Sequence, residues 1–551
     1  MAAPQSKQIN ALLRKVFGIT ALRDGQRRVI DSTLAGHDTL AVMPTGSGKS
    51  LCYQLPARLL EGMTVVVSPL ISLMKDQAEK LEEAGIASAA QINSSLSRVE
   101  EIAALEGIET ADHDIVFCTP ERLITPDFLA LLKQTRIALV VIDEAHCISQ
   151  WGHDFRPAYL EIGAALEALG RPQVLALTAT ATDDVIADIR AQLGRPRMAV
   201  VNTGIYRPNL HYRVKQVTNP SEKTAQALQL VRETDGVGII YAATVKAAEE
   251  MHAALQDAGE SVTLYHGKLR ASERSENQNL FMSGERRVMV ATNAFGMGID
   301  KADTRFVIHL QVPANLEAYY QESGRAGRDG QDAQCTLLYY HADKRLQQFF
   351  LIKHYPQAEE LRAVYDAAAA HAAEGAATFT DKELKPRLEQ MPASQLKICL
   401  KMLKDGKLLK RSRKLDYALA KLAGGAVAPT AAQYAQMAQV YADKHDRDRE
   451  GLEQMVGYAQ SGYCRWKLLL DYFGDAAPGF EQCCKCDNCL APPVIQDLPL
   501  TDPEPVGALV EGTPDNAHNA GAGAGAGAGL APAPLVAALG ATALRRTAGT
   551  A

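Results

Sequence analysis

The chain has 551 residues, 47% of them apolar and 22% charged, and a formal net charge of −6. That length exceeds one ordinary hydrophobic core, so about three or four domains are expected. No stretch approaches the run of about 20 apolar residues that a membrane span requires, and the polar opening Met1–Asn10 lacks the core of a secretory signal, so no membrane association and a cytoplasmic (in a bacterium, nucleoid-associated) location are expected. The acidic average does not exclude a polyanionic ligand, because one basic groove sets phosphate affinity whatever the outer surface carries.

In chain order, the first region alternates short β-rich runs with amphipathic stretches: Thr39–Met43, Thr64–Val67, Ile115–Cys118, Leu139–Ile142 and Val174–Leu177 read as strands, and Leu70–Ala84 as a helix. That rhythm predicts βα units around a parallel sheet. A second region repeats it with Val237–Tyr241, Val262–Tyr265, Val288–Ala291 and Phe306–Leu310. Two α/β lobes, split near Asn202–Pro208, are therefore expected. Beyond Tyr340 the pattern turns helical and alanine-rich, a basic segment follows, and five cysteines cluster between Cys464 and Cys489. The other five, Cys52, Cys118, Cys147, Cys335 and Cys399, stand singly in apolar segments and read as buried reduced thiols. From Pro492 the composition shifts to Pro, Gly and Ala, which cannot bury enough surface to offset ordering entropy, so disorder is expected.

Thr39–Met43 leads into Pro44-Thr45-Gly46-Ser47-Gly48-Lys49-Ser50, a glycine-bearing loop between strand and helix. Glycines let backbone N–H groups face an anion, and the helix N-terminus adds partial positive charge. Lys49 can reach the β- and γ-phosphates of a nucleotide and Ser50 can ligate Mg²⁺. Met43 stands where the strict motif has glycine, which leaves a glycine turn as the bland alternative. The strand Leu139–Ile142 ends in Asp143-Glu144-Ala145-His146. An acidic pair there is tolerable at the sheet's carboxyl edge, where ligands bind. Asp143 suits Mg²⁺, and Glu144 suits orienting or deprotonating a water. Together the two segments predict a nucleoside triphosphate site with Mg²⁺.

With these residues the chain resembles superfamily 2 helicases, and more closely the RecQ family, from about Phe17 to Cys489. The resemblance implies two RecA-like parallel-sheet lobes followed by a helical zinc-binding subdomain. It implies that Gln26 reads the adenine edge with Arg23 packed near the base, and that Ser68-Pro69-Leu70 and Met74-Lys75-Asp76-Gln77 touch the DNA backbone. Cys147–Tyr159 is similar to the family's aromatic-rich loop. There Trp151 and Phe155 offer stacking faces for unpaired bases, with His153 and Arg156 beside them. Thr178-Ala179-Thr180 resembles the segment that links hydrolysis to DNA. In the second lobe Gln321–Arg328 looks like the arginine motif. A planar cation can stabilise charge on a transferring phosphoryl group, so Arg328 is the expected finger and Arg325 a supporting phosphate contact. Thr292, Gly296, Gly298 and Asp300 resemble the motif joining DNA and nucleotide. Tyr265-His266-Gly267 fits a DNA contact more loosely.

Cys464, Cys483, Cys486 and Cys489 supply the four thiolates of a closed structural zinc site. Cys484, adjacent to Cys483, is an alternative ligand. Between the second lobe and this site, Thr378–Leu419 departs from the family pattern. Leu396, Cys399, Leu400 and Leu403 share a helical face, followed by Asp405-Gly406 and the basic run Lys407–Lys414. This order resembles a small basic winged-helix-like unit moved ahead of the zinc site; a solvated charged helix pair is the alternative. No winged helix or helicase-and-RNase-D C-terminal unit is expected after Cys489. The expected domains are residues 1–203 and 204–340 for the lobes, 341–430 for the helical link with its insertion, 431–491 for the zinc subdomain and 492–551 for the tail. The expected function is an ATP-dependent DNA helicase of recombination and repair, moving 3′ to 5′ on single-stranded DNA and unwinding duplex, with single-strand-binding protein as a further partner. An RNA helicase and an ATP-regulated scaffold or annealing protein are the competing readings.

Overall fold

The computed structural model describes residues 2–94, 96–149, 156–296, 301–352, 356–375, 378–411, 417–420 and 428–492. Seven strands form the first sheet: β1 Thr39–Val42, β2 Met63–Val67, β3 Ala89–Ile92, β4 Ile115–Cys118, β5 Ile137–Ile142, β6 Val174–Thr178 and β7 Ala199–Asn202. Their order is β3-β4-β2-β5-β6-β1-β7, and every pairing is parallel. Strands covered by helices on both faces read as continuous apolar runs. Accordingly β1, β2, β4 and β6 are buried along their whole length. Each Val, Leu or Ile so buried contributes about 1.5–3 kcal/mol.

The second sheet uses β8 Leu210–Gln216, β9 Val237–Tyr241, β10 Val262–Tyr265, β11 Val288–Ala291, β12 Thr304–His309 and β13 Ala333–Tyr339. Its order is β10-β11-β9-β12-β13-β8, again all parallel. The lobes are joined by the short stretch between Asn202 and Leu210. Four strands, β3, β7, β8 and β13, were not among the expected ones. β3 reads Ala-Ala-Gln-Ile, and β7 and β8 are edge strands with polar or exposed positions, so the usual β signal is weak in all three.

Helices Asp343–Ile352 and Ala358–Ala373 follow, then a compact unit: helix Asp381–Leu384, helix Ala393–Asp405 and the antiparallel pair β14 Leu409–Arg411 and β15 Tyr417–Leu419. Phe379 bridges Tyr417 and adds a third strand position. Leu396, Cys399, Leu400 and Leu403 are all buried, packed with Leu361, Val364 and Tyr434 from the flanking helices. The helix Ala431–Gln460 then leads to helix Arg465–Tyr472 and the short helix Asp487–Leu490. This last part shares a core with the second lobe, where Trp466, Met455 and Tyr458 pack with Tyr212, Tyr319 and Tyr320. Among the described residues, no helix is long and apolar enough to cross a membrane. The tail after Pro492 lies outside the described residues.

Candidate nucleotide and nucleic-acid site

The loop after β1 turns through Gly46 and Gly48 at φ of 80° and 78°, a left-handed conformation that side chains rarely adopt. A side chain there would also displace the Gln26 amide, since a Cβ on Gly48 would stand 2.5 Å from Gln26 Nε2. Gln26 is buried and donates from Nε2 to the carbonyls of Ser47 (2.9 Å) and Gly48 (3.2 Å), while its Oε1 accepts from Arg23 N–H. Arg23 also donates to the Gly46 carbonyl at 2.9 Å. Both expected adenine-side residues thus brace the loop. Ser47 Oγ is buried with no hydrogen-bond partner among the described residues, as befits a loop built to face an anion. The Met43 departure has a packing reason: its side chain is buried and its sulfur lies 3.8 Å from Cys52 Sγ.

Lys49 follows the loop, its Nζ 3.3 Å from the Met43 carbonyl. Burial lowers its pKa, opposed by the charges of Glu144 and Asp143. Asp143 shows the reverse effect: burial first, then the neighbouring Glu144, pushes its carboxyl above the usual range, and Lys49 partly counters this. A cation beside Asp143 would relieve that cost. Ser50 is tied to Gln77, whose Nε2 donates to Ser50 Oγ at 3.0 Å. Ser50 and Asp143 are the residues that could hold Mg²⁺, which would supply charge neutralisation to a nucleotide's phosphates.

Glu144 adopts a left-handed backbone (φ 50°) and its carboxylate lies 3.4 Å from His146 Nδ1. His146 is buried and also meets Thr178 Oγ1 at 3.1 Å. The imidazole thus lies between the acidic pair and Thr178-Ala179-Thr180, hydrogen-bonded to Thr178. Arg156 donates to the Pro69 carbonyl at 3.3 Å, which joins the end of the aromatic-rich loop to the segment Ser68–Leu70. Trp151, His153 and Phe155 lie outside the described residues, as do Gly298 and Asp300. Thr292 is buried just after β11, at the carboxyl edge of the second sheet. His266 is buried 3.4 Å from Glu249.

Across from the phosphate loop stands the arginine loop of the second lobe. A Cβ on Gly46 would lie 2.9 Å from Arg328 Cγ, and one on Gly324 would lie 3.4 Å from Thr45 Cβ. Arg328 thus rests directly on the phosphate loop, close enough for its charge to depress the Lys49 pKa. Arg325 is buried and sits near Gly296 and Tyr241, deeper in its own lobe. Arg207 and Asn209, in the stretch joining the lobes, hold this loop through its carbonyls. Nothing local in the sequence points to them, because their partners lie more than a hundred residues away.

The four cysteine sulfurs of Cys464, Cys483, Cys486 and Cys489 lie within 4.8 Å of one another. Cys486 and Cys489 are 3.4 Å apart and Cys483 and Cys489 3.9 Å. Tetrahedral zinc with bonds of about 2.3 Å requires sulfur edges of about 3.8 Å. Backbone N–H groups donate to three of the thiols: Cys483 to Cys464, Cys486 to Cys483 and Arg465 to Cys486. Such donors stabilise thiolates, so the set fits zinc. Cys484 is exposed and is not one of the four. The five single cysteines are all buried.

Two parallel-sheet lobes with a phosphate loop on one and arginines on the other define a chain of the superfamily 2 helicase class. Family models agree: DEAD/DEAH box helicase matches residues 23–189, helicase conserved C-terminal domain 222–330 and RecQ zinc-binding 430–490. The chain is 46% identical over 343 residues to ATP-dependent DNA helicase RecQ of Bacillus subtilis, covering 62% of this chain and 58% of that protein. It is 42% identical over 358 residues to the probable ATP-dependent DNA helicase RecS of the same organism, covering 65% and 72%. The chain belongs to the RecQ family. It spans little more than half the length of some relatives, 52% for the Pasteurella multocida RecQ. Solved structures of Mycobacterium smegmatis helicase Lhr bound to ssDNA and AMP-PNP and of DEAD-box helicase Mss116 bound to ssRNA share the fold. Each gives a TM-score of 0.52 at 20% identity, over 74% and 62% of this chain and 60% and 74% of theirs.

Proposed function

We propose that this chain hydrolyses ATP to move 3′ to 5′ along single-stranded DNA and part a duplex ahead of it, in recombination and repair. The observation that carries the reading is the split site, with Arg328 of one lobe lying on Gly46 of the other. In it Lys49 and the loop Thr45–Ser50 hold the phosphates, Asp143 and Ser50 hold Mg²⁺, and Glu144 prepares the attacking water. Arg328 meets the γ-phosphoryl group as it transfers, with Arg325 in support. Gln26 and Arg23 would then signal adenine occupancy to the loop they brace, and Gly298 and Asp300 complete the nucleotide side. Closure on ATP and release after cleavage alternate the grip on the strand. Trp151, His153, Phe155, Arg156 and Thr292 are the proposed strand contacts, and His146, between Glu144 and Thr178, stands beside the acidic pair. A single-strand-binding protein fits as a partner that presents such a strand.

The proposed division of the chain is 1–203 and 204–340 for the lobes, 341–430 for the link, 431–491 for the zinc subdomain and 492–551 for the tail. Thr378–Leu419 within the link, completed by helix Ala358–Ala373, forms a winged-helix-like unit for duplex DNA. Its support is the order helix, strand position, helix, helix, paired strands. Lys397, Lys401 and Lys404, at i, i+4 and i+7, are exposed on the outer face of helix Ala393–Asp405, and exposed Lys407 and Lys410 continue beyond it. Strand separation on a 3′-tailed DNA duplex, with Lys49→Ala as control, tests the whole reading. ATP-dependent separation by the wild type alone is expected. Unwinding of RNA and not DNA would favour the RNA-helicase alternative, and ATP turnover without any separation would favour the scaffold or annealing role.

A further inference from the structure

The arginine loop Gly324–Gln331 is tied to β12 by its backbone, Gly327 N–H donating to the Thr304 carbonyl at 2.8 Å, and approaches the phosphate loop from there. Its carbonyls turn toward two side chains from the stretch that joins the lobes. Arg207 is buried and donates from Nη1 to the Gly324 carbonyl at 2.7 Å. From Nη2 it donates to Ala326 at 2.7 Å and Gly327 at 2.6 Å. Asn209 Nδ2 donates to Gly327 and Gln331, both at 2.8 Å. Arg207 Nη1 also reaches across to the Thr45 carbonyl at 3.4 Å, so one guanidinium touches both halves of the site. A planar fork holds its donors in fixed directions spread over two nitrogens, a geometry that the compact, freely rotating ammonium of a lysine does not reproduce.

The holder is itself held. Ile205 N–H donates to Asp475 at 2.6 Å, Lys485 to the Pro208 carbonyl at 3.0 Å and Trp466 Nε1 to the Leu210 carbonyl at 3.0 Å. All three partners belong to the cysteine-bearing subdomain. Tyr206 is wedged edge-on against Trp466 and Phe480 on the same side.

We infer that Arg207, assisted by Asn209, is the positioning residue that sets the arginine loop against the phosphate loop, with the zinc subdomain as its abutment. The inference rests on the reading of Arg328 as the finger. The hydrogen bonds of Arg207 go to backbone carbonyls, three in the arginine loop and the longest to Thr45, so it acts on ATP cleavage by placing these loops, and through the shorter three by placing Arg328. A misplacement of about 1 Å at a reacting centre costs on the order of 10²-fold in rate.

The test is steady-state ATP turnover at saturating single-stranded DNA for Arg207→Ala, Arg207→Lys, Asn209→Ala, Arg328→Ala and the Arg207→Ala/Arg328→Ala pair. Arg207→Ala is expected to lower kcat on the order of 10²-fold while KM for ATP stays within about threefold. Arg207→Lys should not restore it. The double variant should be no slower than Arg328→Ala alone, within about twofold, because the two act as one unit. A double variant slower by the full Arg207→Ala factor, or a raised KM at unchanged kcat, overturns the inference. If Arg207→Ala does not fold, Asn209→Ala carries the same comparison, with a smaller kcat loss expected and additivity with Arg328→Ala overturning it. Wild-type kcat in Arg328→Ala would instead overturn the finger reading.

Discussion

The two halves of the nucleotide site are built on different principles. In the first lobe the phosphate loop is a local structure: strand, two left-handed glycines, helix, braced by Gln26 and Arg23 from just upstream. In the second lobe the arginine loop is held by side chains from far away, with Arg207 and Gly324 separated by 117 positions. A local cradle can be recognised from a short motif and tolerates change elsewhere. A loop held at long range ties turnover to the joint between lobes and to the cysteine subdomain behind it. Nucleotide binding and nucleotide cleavage should therefore fail separately.

The largest expected effect lies in the first half. Lys49→Ala should lower ATP turnover at least about 10³-fold, since the charge it supplies to the phosphates has no substitute; turnover within about tenfold of wild type would break the assignment. Glu144→Gln should cost about 10²–10⁴-fold in kcat while ATP affinity, measured by equilibrium titration, is kept. Weakened affinity at unchanged kcat would move Glu144 out of the water-preparing role. In the second half, Cys486→Ser should abolish stoichiometric zinc and lower Tm, because structural zinc contributes folding energy directly. Circular-dichroism melting with a zinc assay checks both, and a variant with full zinc would point to Cys484 as a replacement ligand. The smallest effect belongs outside the site: Lys397→Ala, Lys401→Ala and Lys404→Ala combined should flatten the salt dependence of duplex affinity by about 0.9 per lost phosphate contact. The unit shares its core with Leu361 and Tyr434, so removing surface charge is a cleaner probe than deleting Thr378–Leu419. An unchanged slope would favour the solvated helix pair.

The same contrast explains what the sequence reveals. Thr45–Ser50, Asp143-Glu144 and the four cysteines are legible because ligand geometry demands fixed residue types at short spacing. The central strands are legible because burial on both faces demands apolar runs. Edge strands such as Leu210–Gln216 mix Leu, Tyr and Val with His, Arg and Lys, and give little signal. Ala333–Tyr339 does carry the apolar run of a buried strand and could have been read as one. Arg207 reads only as part of a lobe boundary, because its role depends on which carbonyls the fold brings to it. His146 is likewise visible as a motif member, while its place between Glu144 and Thr178 emerges only from the adjacency of β5 and β6.

The most direct test of a site shared between lobes is ATP binding and single-turnover cleavage by Arg328→Ala. The split site predicts nucleotide affinity within about threefold of wild type and cleavage slower by about 10³-fold or more. Cleavage at the wild-type rate, or loss of binding in step with cleavage, would contradict it.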